Sequence, residues 1–135
     1  MKRIGVLLFW LLACSALSAQ TPTEKKGAVI GWVEQTFDFG DIVQGEKVEH
    51  TFTLINNGDE PLIITNAQVT CGCTTPKGLP RNPILPGQKA DIVVAFNSTG
   101  KFGRQNKVVT LVSNAQSGSN QITFSANVLD KKVQD

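Results

Sequence analysis

Cys71 and Cys73 are the residues of this chain best suited to chemistry. They stand in the run Val69-Thr70-Cys71-Gly72-Cys73-Thr74-Thr75-Pro76, and three uses of the pair are open. The first is a local disulfide, as expected in an oxidising compartment. In an extended strand their Cα atoms would lie about 6.6 Å apart, at the far limit for a bridge. A turn at Gly72 would shorten that distance, and glycine permits such a turn. Loop closure makes a three-residue ring worth about 1.6 kcal/mol, against about 3 for fifteen residues. Such a bridge shapes a turn more than it holds a domain, and a strained one is comparatively easy to reduce. The second use is bland: two small apolar thiols packed at a strand end with no bond between them. The third is a soft-metal or redox site, in which two thiolates hold Cu(I) or share Zn(II) with further ligands.

A metal reading needs help from His50, the single histidine. His50 falls in phase with Val48, Phe52 and Leu54. That row predicts a structural ring at the core or its edge. A four-ligand zinc site would also need carboxylates that no spacing identifies. Thioredoxin-like chemistry is disfavoured, because the Cys-x-x-Cys spacing and its βαβ context are missing. No Gly-x-Ser-x-Gly elbow occurs, and Gly100-Lys101 lacks the rest of a phosphate loop. No catalytic set, and hence no enzyme, is expected.

The elements that must position the cysteines read as short strands, with no helical period. Val29 to Phe39 is a broken strand pattern, with Phe37 and Phe39 on one face, that Gly40 is expected to end. After a turn at Gln44-Gly45-Glu46, Val48, Phe52 and Leu54 alternate with Glu49, Thr51 and Thr53, giving a strand with one wet face. Asn57-Gly58 predicts a hairpin. Leu62 to Val69 is mostly apolar and predicts a central strand. Pro76 to Pro86 holds four prolines and predicts a loop rather than a ladder strand. Pro86-Gly87 suits a type II turn. Ile92, Val94 and Phe96 form an inward row. Lys107 to Ser113 is another strand, Ser117-Gly118-Ser119 a turn, and Ile122, Phe124, Ala126 and Val128 a last inward row. The fold class that follows is all-β: an antiparallel β-sandwich of about seven strands.

Residues 1–19 have a basic start, about ten apolar residues and a small-residue exit, the pattern of a secretory signal cut after Ala19. Leu11-Leu12-Ala13-Cys14 offers a rival, a lipoprotein cut with a lipid anchor at Cys14. The apolar run is too short to span a bilayer, which takes roughly 20 residues. Removing 19 of the 135 residues leaves 116, one domain, and loss of Lys2 and Arg3 brings 13 basic residues level with the 11 acidic ones. A neutral chain argues against nucleic acid and anionic membrane surfaces. The expected organisation is a signal at 1–19, a flexible lead with a possible first strand at 20–33, the sandwich at 34–129 and a polar tail at 130–135.

Several motifs combine: Phe37-Asp38-Phe39-Gly40, Gly45-Glu46, His50-Thr51-Phe52, Asn56-Asn57-Gly58, Pro61-Leu62-Ile63-Ile64, the Cys71 to Pro76 run, and Pro86-Gly87 before Ile92 to Phe96. Over about residues 34 to 128 this pattern resembles the bacterial domain-of-unknown-function 1573 family. That family is similar to the immunoglobulin-like domains of the major sperm protein and ASPM/SPD-2/Hydin type. The resemblance implies a secreted, periplasmic or surface immunoglobulin-like module, frequent in Bacteroidetes-like bacteria, with no established activity. The buried Cys…Trp…Cys core of antibody domains is absent, so its inter-sheet disulfide does not carry over.

Two functions follow as expectations. One is a non-enzymatic binding or scaffolding module of the cell envelope with no cofactor. It would contact another envelope protein through the Pro-rich 76–86 loop beside the cysteine turn, or through an exposed strand edge. The other is a redox or copper-handling accessory that uses the Cys-Gly-Cys turn.

Overall fold

The computed structural model describes residues 26–134. The signal at 1–19, the lipidation candidate Cys14 and residues 20–25 of the lead therefore lie outside the described residues. In chain order the elements are β1 (Val29–Trp32), β2 (Thr36–Val43), β3 (Lys47–Asn56), β4 (Ile64–Val69), β5 (Thr74–Lys77), β6 (Lys89–Asn97), β7 (Gly103–Ser113), β8 (Ser117–Gly118) and β9 (Gln121–Leu129). The tail continues as a 3-10 turn, Lys131–Gln134.

The strands form two sheets, β5-β6-β3-β1-β8 and β2-β9-β7-β4. Most pairings are antiparallel, but β1 runs parallel to β8 and β2 parallel to β9. The strand count exceeds the expected seven because β8 has only two residues and β5 is built around a proline. The core lies between the sheets. Ile92, Val94 and Phe96 of β6 stand beside Phe52 and Leu54 of β3 on the inner face of one sheet, all at 0% exposure. Ile122, Phe124, Ala126 and Val128 line the other sheet from β9. Phe96 meets Phe124 across the layers at a 5.5 Å centroid distance. The two-sided alternation of these strands places their apolar rows inside without a helix to cover them.

Several expectations are corrected. The Val29 to Phe39 pattern divides between β1 in one sheet and β2 in the other. Gly40 does not end the strand. It sits at φ +72° within β2, at the register shift between Asp38 and Asp41, where a left-handed residue lets the strand bulge and continue. Asn57-Gly58 is not a hairpin, because β3 and β4 lie in different sheets. Gly58 is glycine because a Cβ there would strike the carbonyl oxygen of Gly27. Leu62 to Val69 is not central either. Leu62 makes an isolated bridge to Ile84, and β4 lies at a sheet edge with most of its side chains exposed.

Pro76 belongs to a ladder strand after all. Asn97 N–H donates to Cys73 O at 2.9 Å, and the Thr74–Phe96 and Thr75–Ala95 register continues that pairing. By alternation Thr75 and Lys77 turn their backbone groups toward β6, while Thr74 and Pro76 turn theirs outward. The missing N–H of Pro76 thus falls on the open edge, where proline is tolerated. The Pro86-Gly87 turn matches its expectation, with Gly87 at φ +81° and Gln88 N–H donating to Leu85 O at 2.9 Å.

Candidate functional site at the cysteine end

β4 ends one sheet and β5 begins the edge of the other, so Thr70 to Cys73 closes the side of the sandwich between them. The turn is tied by Thr74 N–H donating to Cys71 O at 3.2 Å. Cys71 and Cys73 are joined by a disulfide with a Cα–Cα distance of 5.3 Å. That separation is shorter than an extended strand would give and within the ordinary range for a bridge. Gly72, expected to need glycine's freedom, has neither a positive φ nor any atom within 4 Å of where a Cβ would stand. The turn from Cys71 to Thr74, with Gly72 and Cys73 at its centre, therefore shortens the distance without a left-handed residue.

The surroundings of the two sulfurs differ. Cys73 N–H donates to Cys71 Sγ at 3.3 Å. Thr74 Oγ1 lies 3.9 Å from Cys71 Sγ and 3.8 Å from Cys73 Sγ. Cys73 and Gly72 border a depression of about 250 Å³ on the outer face of β3, β6 and β5, flanked by Lys47, Thr75 and a Lys77–Glu49 ion pair of 2.6 Å.

His50 is elsewhere employed. Its ring stacks on Phe37 of the opposite sheet at 3.5 Å, and its Nε2 meets Glu34 Oε1 at 2.9 Å. The structure does not bring His50 to the cysteines. Among the described residues no group of three or more His, Cys, Asp and Glu side chains could hold a metal. Bridged sulfurs are not thiolates, so Cu(I) would need the disulfide reduced first.

A second feature of this end escaped sequence reasoning. Phe102 is 68% exposed on the loop between β6 and β7. That loop is not slack. Buried Ser98 donates its Oγ to Glu46 O at 2.7 Å, and Ser98 O accepts from Lys101 N–H at 3.0 Å. Gln44 Nε2 holds Lys101 O at 2.9 Å, and Gln105 Nε2 holds Phe102 O at 3.0 Å. Gly100 and Gly103, at φ +73° and +75°, reverse the chain on either side of the ring. The run Gly100-Lys101-Phe102-Gly103, an aromatic between paired glycines, was the signal available for it. Thr74 carried no such signal, because its burial follows from the β5–β6 register.

The Pro-rich loop is mostly not beside the cysteine turn. β5 carries the chain away from it, and Ile84 bridges Leu62 near the far end of β6. The strand edges next to the turn are also blunted. Thr74 N–H is used inside the turn, Pro76 has no N–H, and Ala67 N–H of β4 is taken by Asn66 Oδ1 at 2.8 Å.

A family profile described as a protein of unknown function, DUF1573, matches residues 30–128. The chain belongs to the DUF1573 family. No curated protein matches it. Among solved structures, this DUF1573 domain is similar to a protein of unknown function from Porphyromonas gingivalis. The TM-score is 0.62 at 19% identity, over 78% of this chain and 49% of that one. It is similar to the secreted serine protease VesC from Vibrio cholerae, with a TM-score of 0.57 at 18% identity, over 78% of this chain and 24% of that one. It is also similar to PapD-like domain 7 of human CEP192, with a TM-score of 0.57 at 10% identity, over 89% of this chain and 97% of that domain. At such identities the likeness is one of fold: an immunoglobulin-like, PapD-like sandwich. The chain spans about half the length of the P. gingivalis protein and about a quarter of VesC.

Proposed function

We propose that this DUF1573 domain is an exported, non-catalytic module that binds another protein of the cell envelope with Phe102 as its anchor. The observation that carries the reading is the build of the Phe102 loop. An aromatic ring held 68% exposed on a hydrogen-bonded loop is already ordered for contact. Ordering it costs little on binding, and buried aromatic anchors dominate protein interfaces. Two further points support the reading. Two of the similar structures carry this fold as one part of a longer chain, about half of one and about a quarter of the other. For export, the support is the leader-like residues 1–19 and the bridged cysteines.

The test is recovery of a partner from envelope extract by the wild type, by Phe102→Ser and by Leu85→Ser. Leu85 is 49% exposed at the opposite end of β6 and serves as the control. Phe102→Ser is expected to lose the partner while Leu85→Ser keeps it. Equal recovery by Phe102→Ser refutes the anchor.

A further inference from the structure

The cysteine turn contains a hydroxyl whose setting a structural bridge does not require. Thr74 is 4% exposed, and among the described residues the two sulfurs are its only side-chain hydrogen-bond partners. A disulfide sulfur is a weak acceptor, whereas a thiolate is a strong one. The single hydroxyl hydrogen is shared between the two sulfurs, at 3.9 Å and 3.8 Å, whereas the Cys73 N–H at 3.3 Å is directed at Cys71 Sγ. Cys73 Sγ has the hydroxyl alone.

Both cysteines are half-buried, and Cys73 packs in part against the core, but of the two it is Cys73 that borders the depression on the outer face. Gly72 borders it too, although neither backbone conformation nor crowding demands glycine there. Its missing side chain leaves the approach to Cys73 open.

We propose that Cys71–Cys73 is a thiol–disulfide exchange site of fixed polarity, in which an incoming thiolate attacks Cys73 and Cys71 leaves. The attacking sulfur comes from a dithiol donor through the depression. Its bond to Cys73 Sγ forms as the Cys71–Cys73 bond breaks, and the electron pair stays on Cys71 Sγ. The Cys73 N–H and the Thr74 hydroxyl hold that thiolate, and better stabilisation of the leaving sulfur speeds exchange. The donor's second thiolate then attacks the donor's own sulfur in the mixed disulfide and releases Cys73. Two electrons pass to this domain, the donor becomes a disulfide, and both cysteines end as thiols or thiolates according to pH. The reverse sequence oxidises the turn again. Thr74 is a positioning residue in this scheme.

Glutathione, a monothiol, has no second thiol to release Cys73 intramolecularly, so the mixed disulfide persists until a second glutathione attacks it and can be trapped at early times. The oxidised full chain is treated with millimolar glutathione, quenched in acid and mapped by mass spectrometry. The adduct is expected on Cys73, in roughly tenfold excess over Cys71. Thr74→Val is expected to slow adduct formation roughly tenfold, the scale of one hydrogen bond to a charged group, and Thr74→Ser to restore it. Gly72→Leu is expected to slow it by a similar factor with Tm unchanged. Parallel reductions with dithiothreitol and with reduced thioredoxin are both expected to free the thiols of Cys71 and Cys73. An adduct mainly on Cys71, wild-type rates in both Thr74→Val and Gly72→Leu, or no adduct at all would overturn the assignment.

Discussion

Asn97 joins the cysteine turn to the loop that carries Phe102. Its N–H donates to Cys73 O at 2.9 Å, while its Oδ1 accepts from Thr99 N–H at 3.1 Å and from Thr99 Oγ1 at 2.7 Å. One residue at the end of β6 therefore fixes both features. Asn97→Ala keeps the backbone bond and deletes the two side-chain bonds. It is expected to cost about 1 kcal/mol in urea denaturation. It should also weaken partner recovery in the same direction as Phe102→Ser. Full recovery in Asn97→Ala would mean that the ordering of the loop does not matter.

Asn56 is completely buried, and its side chain closes the opposite end. Its Nδ2 donates to Glu60 O at 2.7 Å and Ile84 O at 2.9 Å, and its Oδ1 accepts from Gly58 N–H at 2.9 Å. Asn56→Ala strands these backbone groups and is expected to cost about 3 kcal/mol. Chemical denaturation is the measure, and a loss under about 1 kcal/mol would contradict the role.

How much of this could be read in the sequence depended on what each residue answers to. The rows Ile92-Val94-Phe96 and Ile122-Phe124-Ala126-Val128 were legible, because period-two alternation is local and points straight at the core. So was Pro86-Gly87, whose two dihedrals are set by those two residues. Asn56-Asn57-Gly58 misled because an Asn-Gly pair is a local hairpin signal, whereas here Asn56 answers to Ile84 and Gly58 to Gly27. The edge position of β4 and the pairing of β5 are properties of strand order, and no single strand records that order. At the candidate site the cysteine pair was visible at once. The hydroxyl of Thr74 became visible only after β5 was paired with β6.

Asp38 gives a pH dependence. The Gly40 N–H, donating to Asp38 Oδ1 at 2.8 Å, holds the carboxyl below its ordinary value of 3.8, and the nearby Arg104 guanidinium adds to this. A carboxyl depressed in the folded state contributes stability above its unfolded value, and that contribution is lost as pH falls through the folded one. The Tm advantage of wild type over Asp38→Asn is therefore expected to be constant above pH 3.8 and to shrink below it. The group is at the surface, so the effect is small. An advantage that grows in acid would contradict the sign.

Gly72 and the bridge separate stability from access. Gly72→Ala meets open space and ordinary φ, so it is expected to change stability by less than about 0.5 kcal/mol. Cys71→Ser removes the three-residue ring and is expected to cost about 1.6 kcal/mol by loop closure. Urea midpoints of the two variants measure both, and a Gly72→Ala loss larger than that of Cys71→Ser would reverse the account.

The central claim is that the cysteine end is the face that meets a partner. A photo-reactive phenylalanine analogue placed at Phe102, or at Leu85 on the far end, tests it in intact envelopes. The account predicts a discrete cross-linked protein from position 102 and none from position 85. Cross-linking from 85 alone, or from neither position, would contradict it.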